Sequence, residues 1–186
     1  MKTVVLASAS PRRSAILSQL CVPFRIEPSS YEENGSAISP EERPLRFAEG
    51  KALDVSRKFP DEFVLGFDTL VFLDDRALGK PTDRADALSM LRSLNGRSHK
   101  VVSGIALARG GKILASDVEE TAVKFRHVSE RELERYVDSG EPMDKAGAYA
   151  IQGLGAGLVE SIDGCFYNVV GLPVAKTLTL IENLGE

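Results

Sequence analysis

The sequence predicts an α/β protein with a mixed, elongated and twisted β-sheet flanked by helices. Apolar runs typical of buried strands, above all residues 63–73, alternate with segments of helical spacing. Two strand-like stretches, 98–108 and 112–125, are joined by Arg109-Gly110-Gly111, which indicates a long hairpin. Because strands and helices do not alternate strictly, a mixed sheet is favoured over a doubly wound parallel one.

The other elements follow from periodicity and from capping signals. Ser39-Pro40-Glu41-Glu42 and Ser129-Glu130-Arg131-Glu132 are typical of helix starts, and residues 74–77 of a turn. The predicted strands are 3–7, 22–28, 63–73, 98–108, 112–125 and 158–162. The predicted helices are 11–20, 39–58, 82–94 (or 83–94), 129–139 and a C-terminal helix after Pro173.

Length and composition predict one domain over residues 1–186. The chain has 186 residues and a formal net charge of -4, so nonspecific attraction to nucleic acid or anionic membrane is not expected. Its two cysteines, Cys21 and Cys165, have no metal-ligand spacing. The N-terminal apolar run is short for a signal peptide and no stretch reaches membrane-spanning length, so we expect a cytoplasmic protein.

The N-terminal strand leads into a small-residue turn with the features of a phosphate site. The segment reads Leu6-Ala7-Ser8-Ala9-Ser10-Pro11-Arg12-Arg13. Ser10 suits an N-cap and Pro11 the first helical position, so free backbone N–H groups face the turn. Arg12 and Arg13 add charges suited to phosphate oxygens. A capped helix with solvated arginines explains the same residues, and the turn alone leaves both interpretations open.

Asp68 is the most conspicuous candidate for chemistry. It interrupts an apolar strand, where a carboxylate is costly unless it is paired, hydrogen-bonded or bound to a metal. Glu32 and Glu33 lie on a polar loop, and a carboxylate there would join Asp68 around a divalent cation. On spacing alone, a solvated acidic loop is favoured.

Two lysines and one amide are further candidates. Lys51 lies in a predicted helix and Lys80 in a Gly-Lys-Pro turn, where each would bind phosphate or simply remain solvated. Gln152, in the glycine-dense segment 147–157, carries donors and an acceptor suited to a base edge. A bond from this amide to the loop backbone is the alternative.

Together these segments resemble the Maf family of nucleotide pyrophosphatases over nearly the whole chain. The resemblance rests on several motifs that occur in the family's order. They are Ala7-Ser8-Ala9-Ser10-Pro11-Arg12-Arg13, Gly66-Phe67-Asp68-Thr69, Gly79-Lys80-Pro81, Asp144-Lys145-Ala146-Gly147-Ala148-Tyr149, Ile151-Gln152-Gly153 and Tyr167-Asn168-Val169-Val170-Gly171-Leu172-Pro173.

The resemblance implies a function and a fold. Members of that family hydrolyse nucleoside triphosphates between the α and β phosphates with Mg²⁺ or Mn²⁺, releasing a monophosphate and pyrophosphate. It implies a single Maf-like domain over residues 1–186, a fold related to the inosine-triphosphatase type, a house-cleaning role in nucleotide pools and a possible homodimer.

The resemblance also implies roles at individual positions. Asp68 matches the catalytic base and, with Glu33, the metal ligands. The positions that match substrate-binding residues are Ser8, Arg12, Arg13, Lys51, Thr69, Lys80 and Gln152.

Three of these positions separate the branches of the family. Arg12, Thr69 and Gln152 match the branch acting on dTTP and UTP, whereas the branch acting on methylated GTP tends to carry an aromatic residue, Gln and Glu. Phe67 departs from the family, because a small residue is usual before the aspartate. A larger ring there would reshape the pocket floor, so base preference, including preference for modified pyrimidines, stays open.

Two other functions remain as alternatives. The family is also linked to arrest of septum formation and cell division, and a nucleotide-sensing regulator would bind nucleotide without rapid turnover. A phosphatase would release orthophosphate instead of pyrophosphate. The identity of the product separates these possibilities.

Overall fold

The computed structural model describes residues 2–182. Their strands are β1 (Val4–Leu6), β2 (Phe24–Ile26), β3 (Phe63–Leu73), β4 (Arg76–Leu78), β5 (Ser98–Arg109), β6 (Lys112–Phe125) and β7 (Val159–Asp163). Their α-helices are α1 (Pro11–Gln19), α2 (Arg43–Lys58), α3 (Arg84–Leu94), α4 (Glu130–Asp138), α5 (Phe166–Val170) and α6 (Val174–Glu182). Short 3-10 helices lie at Glu141–Asp144, Ala146–Ala148 and Gly153–Leu158.

In the described residues the strands form one mixed sheet, which confirms the predicted fold class. The strand order is β2-β1-β3-β5-β6-β7, and β4 pairs with β3 outside this path. β1 runs parallel to β2 and β3, whereas the pairs β3–β4 and β6–β7 are antiparallel. Gly110 and Gly111 join β5 to β6 with φ values of 56° and 75°, as a tight hairpin turn requires.

The structure corrects several local predictions. Arg76 and Ala77, predicted to belong to a turn, instead form β4 with Leu78, because these three residues pair with Val71–Leu73 across a tight connection. The helix predicted from residue 39 begins at Arg43, since the preceding residues form turns. Helix α5 was not predicted, because its five residues carry no capping or periodicity signal.

The described chain divides into two compact units. The first contains the described parts of Met1–Asp68, Ser103–Glu119 and Gly171–Glu186, and the second contains Thr69–Val102 and Glu120–Val170. The core of the first unit is built mainly from small side chains on α2 and the strands beneath it. Its buried cluster is Val5, Ala7, Ala48, Ala52, Val55, Val64, Ala106 and Ala108.

Two glycines allow α2 to lie close against the strands of the first unit. A methyl group built at Gly66 would lie 2.2 Å from the Ala48 carbonyl oxygen. One built at Gly104 would lie 2.1 Å from the Pro44 carbonyl oxygen. Real carbon atoms do not approach this closely, so the position of α2 depends on both glycines.

In the core of the second unit, α3 contributes Leu91 and Leu94, and α4 contributes Leu133. His99, Phe125 and Tyr149 meet edge to face there, with ring centroids 4.7–5.2 Å apart. The His99 Nε2 atom lies 2.7 Å from the Tyr149 hydroxyl. This buried histidine belongs to the core and is not among the candidates for chemistry.

Candidate active site

In the first unit, the candidate site begins where β1 ends beside β3. Leu6 pairs with Leu65, and the Ala7 N–H donates to the Leu65 carbonyl at 2.8 Å. The chain then leaves the sheet after Leu6 and turns at Ser8, whereas β3 continues past Asp68 to Leu73. Ser8 and Asp68 therefore both lie beyond the last β1–β3 pair, at the carboxyl end of β1, where parallel sheets commonly bind ligands.

Ser8 and Arg13 hold the turn and α1 in one arrangement. Arg13 Nη1 donates to Ser8 Oγ at 3.0 Å, and Arg13 Nε donates to the Gly171 carbonyl at 2.8 Å. The guanidinium also lies over the Phe67 ring, 5.7 Å from its centroid. Burial lowers the pKa of Arg13, although Asp68 acts in the opposite direction. An arginine stays charged even so, and its fixed orientation suits anion binding.

The predicted capping of α1 is corrected in one respect. Ser10 is the N-cap residue and Pro11 opens the helix, but the Ser10 side chain makes no capping hydrogen bond. Instead the Ser10 N–H donates to Ser8 Oγ at 3.2 Å. The hydroxyl that organises this turn is therefore that of Ser8.

Lys51 brings two carboxylates together. Its Nζ atom lies 2.6 Å from Asp68 Oδ1 and 2.6 Å from Glu33 Oε1. Lys51 is one helical turn after Ala48, the residue whose backbone lies against Gly66, so the close approach of α2 to β3 sets this distance.

The loop that carries Glu33 is anchored to the same helix. Asp54 accepts hydrogen bonds from Ser29 Oγ and the Ser30 N–H, each at 2.8 Å. Burial raises the pKa of Asp54, but these bonds and Lys58 outweigh it and lower the pKa to about 2. Tyr31 lies on Gly50, where an added methyl group would be 2.4 Å from the ring. These anchors hold the loop against α2, two residues before Glu33.

Asp68 combines burial with a free acceptor atom. The residue is 7% exposed, and its Oδ2 has no hydrogen-bond partner among the described residues. Burial raises the pKa of this carboxyl, whereas Lys51 and Arg13 oppose the shift and Glu33 adds to it. A buried carboxylate with one unpaired oxygen is suited to accept a proton or to hold a cation.

Six of the predicted site residues belong to the first unit. Contacts or electrostatic interactions link Ser8, Arg12, Arg13, Glu33, Lys51 and Asp68. The three cations outnumber the two carboxylates, so the group has a local positive charge inside an acidic protein. This composition suits an anionic ligand such as a polyphosphate.

The other predicted site residues belong to the second unit. Thr69 follows Asp68 directly in β3 and is half-buried, whereas Lys80 and Gln152 are exposed. The turn before Lys80 is held by the Gly147 N–H, which donates to the Gly79 carbonyl at 3.0 Å. Gln152 immediately precedes the 3-10 helix Gly153–Leu158.

Phe67, where the sequence departs from the family pattern, contacts the candidate site through Arg13. Its side chain is fully buried, and the Arg13 guanidinium lies over its ring. Sequence reasoning missed Tyr31 and Asp54, which hold the Glu33 loop against α2 in the first unit. No local pattern marks them, because their partners are distant in the chain.

The chain is similar in sequence to a known family and to named relatives. The family described as Maf-like protein matches residues 3–184. A dTTP/UTP pyrophosphatase of Symbiobacterium thermophilum is 47% identical over 100% of this chain and 95% of its own length. A dTTP/UTP pyrophosphatase of Gloeobacter violaceus is 48% identical over 98% of this chain and 96% of its own length.

A solved HAM1 protein from Coxiella burnetii shares 20% identity with a TM-score of 0.49, over 67% of this chain and 73% of its own. That likeness is too slight to carry an argument. No helix within residues 2–182 has the length and apolar character needed to cross a membrane.

Proposed function

Because the chain belongs to the Maf-like family, we propose that it hydrolyses dTTP and UTP to the nucleoside monophosphate and pyrophosphate. The observation that carries the proposal is the buried Asp68 carboxylate, paired with Lys51 and accompanied by Arg13. Such a group provides a base and an anion-binding surface, which phosphoanhydride hydrolysis requires.

The triphosphate is bound by the positively charged residues. Donors for the phosphate oxygens come from the Arg12 and Arg13 side chains at the start of α1 and from the Ser8 hydroxyl. The positive end of the helix dipole favours the same anion. Lys51 and Lys80 add ammonium groups. These cations stabilise the charge that develops on the departing pyrophosphate.

Asp68 acts as the general base. Its free Oδ2 accepts a hydrogen bond from a water molecule and takes its proton as the water oxygen bonds to the α-phosphorus. The bond between the α-phosphorus and the bridging oxygen breaks, and pyrophosphate leaves with that electron pair. Since burial raises the pKa of Asp68, the carboxylate is a stronger base than an exposed aspartate.

The same carboxylates fit a divalent cation. Lys51 Nζ already occupies a position between Glu33 and Asp68, and Asp68 Oδ2 has no described partner. The described residues contain no group of three or more ligating side chains. In the proposed complex, Glu33 and Asp68 would hold Mg²⁺ or Mn²⁺ together with substrate oxygens. When bound, the cation would neutralise phosphate charge.

We assign base recognition to Thr69 and Gln152. With Arg12, they are the three positions at which this chain matches the dTTP/UTP branch of the family. The uracil and thymine edges carry both acceptor and donor groups, and the Gln152 amide can pair with both kinds. The branch acting on methylated GTP carries other residues at these positions, and the named relatives are dTTP/UTP pyrophosphatases.

A nucleotide panel with Mg²⁺ or Mn²⁺ tests the proposal, with pyrophosphate and orthophosphate assayed separately. It includes thymidine, uridine, cytidine, guanosine and methylguanosine triphosphates. We expect pyrophosphate from dTTP and UTP in preference to the others, and its loss in the Asp68→Asn variant. Orthophosphate as the product, or tight binding without turnover, would overturn it.

Three broader expectations remain predictions. They are a single domain over residues 1–186, a homodimer and cytoplasmic residence. Hydrolysis of canonical or modified pyrimidine nucleotides would give the protein a house-cleaning role in nucleotide pools.

A further inference from the structure

The Glu141 carboxylate in the second unit accepts three hydrogen bonds. Glu141 Oε2 accepts from the Leu154 N–H at 3.0 Å, and Oε1 accepts from the Gly155 N–H at 2.9 Å. The Tyr136 hydroxyl also donates to Oε1, at 3.0 Å. One side chain therefore holds two consecutive backbone groups of a glycine-rich segment.

Tyr136 binds the backbone on the N-terminal side of Gln152. Its hydroxyl accepts a hydrogen bond from the Ala150 N–H at 3.0 Å, while it donates to Glu141. The Tyr136 ring comes from α4 and is 5% exposed, so the hydroxyl has a fixed position. The backbone is thus fixed at Ala150, before Gln152, and at Leu154 and Gly155, after it.

Glycines allow the segment to approach this pair of side chains. Gly153 has a φ of 69°, and a methyl group built there would lie 2.5 Å from Glu141 Oε2. A methyl group at Gly155 would lie 2.6 Å from the Tyr136 hydroxyl oxygen. The contact therefore depends on the glycines as much as on Glu141.

The electrostatics favour an ionised Glu141. Burial raises the pKa of this carboxyl, but the hydrogen bonds from Gly155, Leu154 and Tyr136 outweigh it, so the pKa is lowered. Hydrogen bonds to a charged acceptor are stronger than bonds between neutral groups. The Gln152 side chain is exposed, so the position of its amide depends on the conformation of the loop backbone.

We propose that Glu141 and Tyr136 are positioning residues that hold the Gln152 loop in the conformation that reads the pyrimidine base. This inference rests on the proposed function, since it assigns a purpose to the loop only if Gln152 contacts the base. The two side chains act through the backbone of residues 150–155 and do not touch the substrate. Their removal should impair base discrimination more than the chemical step.

The test compares kcat and KM for dTTP, UTP and CTP in the wild type, four test variants and one control variant. Gln152→Ala removes the side-chain amide that recognises the base. Glu141→Gln leaves one acceptor oxygen for three donors, and Tyr136→Phe removes the acceptor for the Ala150 N–H. The Gln152→Ala/Glu141→Gln double variant shows whether Glu141 acts through Gln152. Glu130→Gln is the matched control, because Glu130 is exposed and pairs with Arg92 in the same unit.

We expect Gln152→Ala to lower the dTTP preference over CTP by about tenfold. Glu141→Gln and Tyr136→Phe should lower it by about threefold or more, mainly through KM, and Glu141→Gln should add nothing in the Gln152→Ala background. Glu130→Gln should leave it unchanged. If Glu141 and Tyr136 were purely structural, Glu141→Gln and Tyr136→Phe would lower the melting temperature and leave the dTTP preference over CTP as in the wild type.

The outcomes separate the two claims. If Gln152→Ala leaves the preference unchanged, the base-reading role within the proposed function fails and the inference fails with it. If Gln152→Ala lowers the preference but Glu141→Gln and Tyr136→Phe do not, the inference alone is overturned. Should Glu141→Gln fail to fold, Tyr136→Phe decides, because it deletes a single hydroxyl.

Discussion

The Lys51 ammonium lies 2.6 Å from Asp68 Oδ1, and it lies at the same distance from Glu33 Oε1. One cation therefore opposes the burial-driven rise in the pKa of the carboxylate on which the proposed chemistry depends. The pair is partly shielded from water, because the Lys51 and Asp68 side chains are 15% and 9% exposed. Each partner consequently has a strong effect on the other.

Lys51→Met should move the acid limb of the pH profile of kcat/KM to higher pH. Lys51 is the strongest of the charges that oppose the burial-driven rise in the Asp68 pKa, so its loss lets that pKa rise further. Lys58→Met is the control on the same helix, since Lys58 pairs with Asp54. An acid limb at the wild-type position in Lys51→Met would show that Asp68 does not control the rate.

Asp68→Asn should abolish turnover and raise stability at pH 8. The folded-state pKa of Asp68 is raised, so its stabilising contribution is present at low pH and is lost as the pH rises through that pKa. An amide avoids the cost of the buried charge. Thermal unfolding at pH 8 should therefore give a higher melting temperature for this variant than for the wild type. Asp61→Asn is the control, because Asp61 lies on an exposed turn, and it should leave the melting temperature unchanged. A lower melting temperature for Asp68→Asn would contradict this account.

Gly66→Ala should destabilise the protein by about 3 kcal/mol or prevent folding. The added methyl group would meet the Ala48 carbonyl oxygen and the Ala52 nitrogen, and both are backbone atoms of α2. Gly157→Ala is the control, because nothing lies within 4 Å of a methyl group there. Denaturant unfolding measures both. Equal stability of the two variants would show that α2 does not lie as close to β3 as described.

Acid should destabilise the protein through His99. Burial lowers the pKa of His99 to about 4, below its ordinary value of 6.5. The unfolded chain therefore binds more protons in this window, and stability falls as the pH drops from about 6.5 to 4. The loss attributable to His99 is about 3 kcal/mol, because one pKa unit corresponds to about 1.4 kcal/mol.

Unfolding free energies of His99→Gln measured across that window check the prediction. The variant should have a flatter pH dependence than the wild type. His127→Gln is the matched control, since His127 is the other histidine and is exposed. A pH dependence as steep in His99→Gln as in the wild type would assign the acid sensitivity to other groups.

The parts of the fold with strong local signals were predictable from the sequence. Ser129 and Glu132 form the capping box that their spacing indicates, and α4 begins there. The apolar run at 63–73 is strand β3, with Asp68 buried in it. In both cases the interactions that decide the structure lie within a few residues of one another in the chain.

The parts that depend on distant contacts were not predictable in the same way. β4 has three residues and exists only because it pairs with β3. The contact of Asp54 with Ser29, and that of Glu141 with Leu154 and Gly155, join residues far apart in sequence. No periodicity or motif marks such pairs. The sequence therefore offered candidates for the chemistry, but it did not indicate the distant residues that contact them.

Hydrolysis of dTTP in water enriched with oxygen-18 tests the central claim most directly. Water activated by Asp68 is proposed to attack the α-phosphorus, so mass spectrometry should find the label in the thymidine monophosphate and unlabelled pyrophosphate. Label in pyrophosphate or orthophosphate would place the attack at another phosphorus. That result, or the absence of monophosphate, would contradict the account.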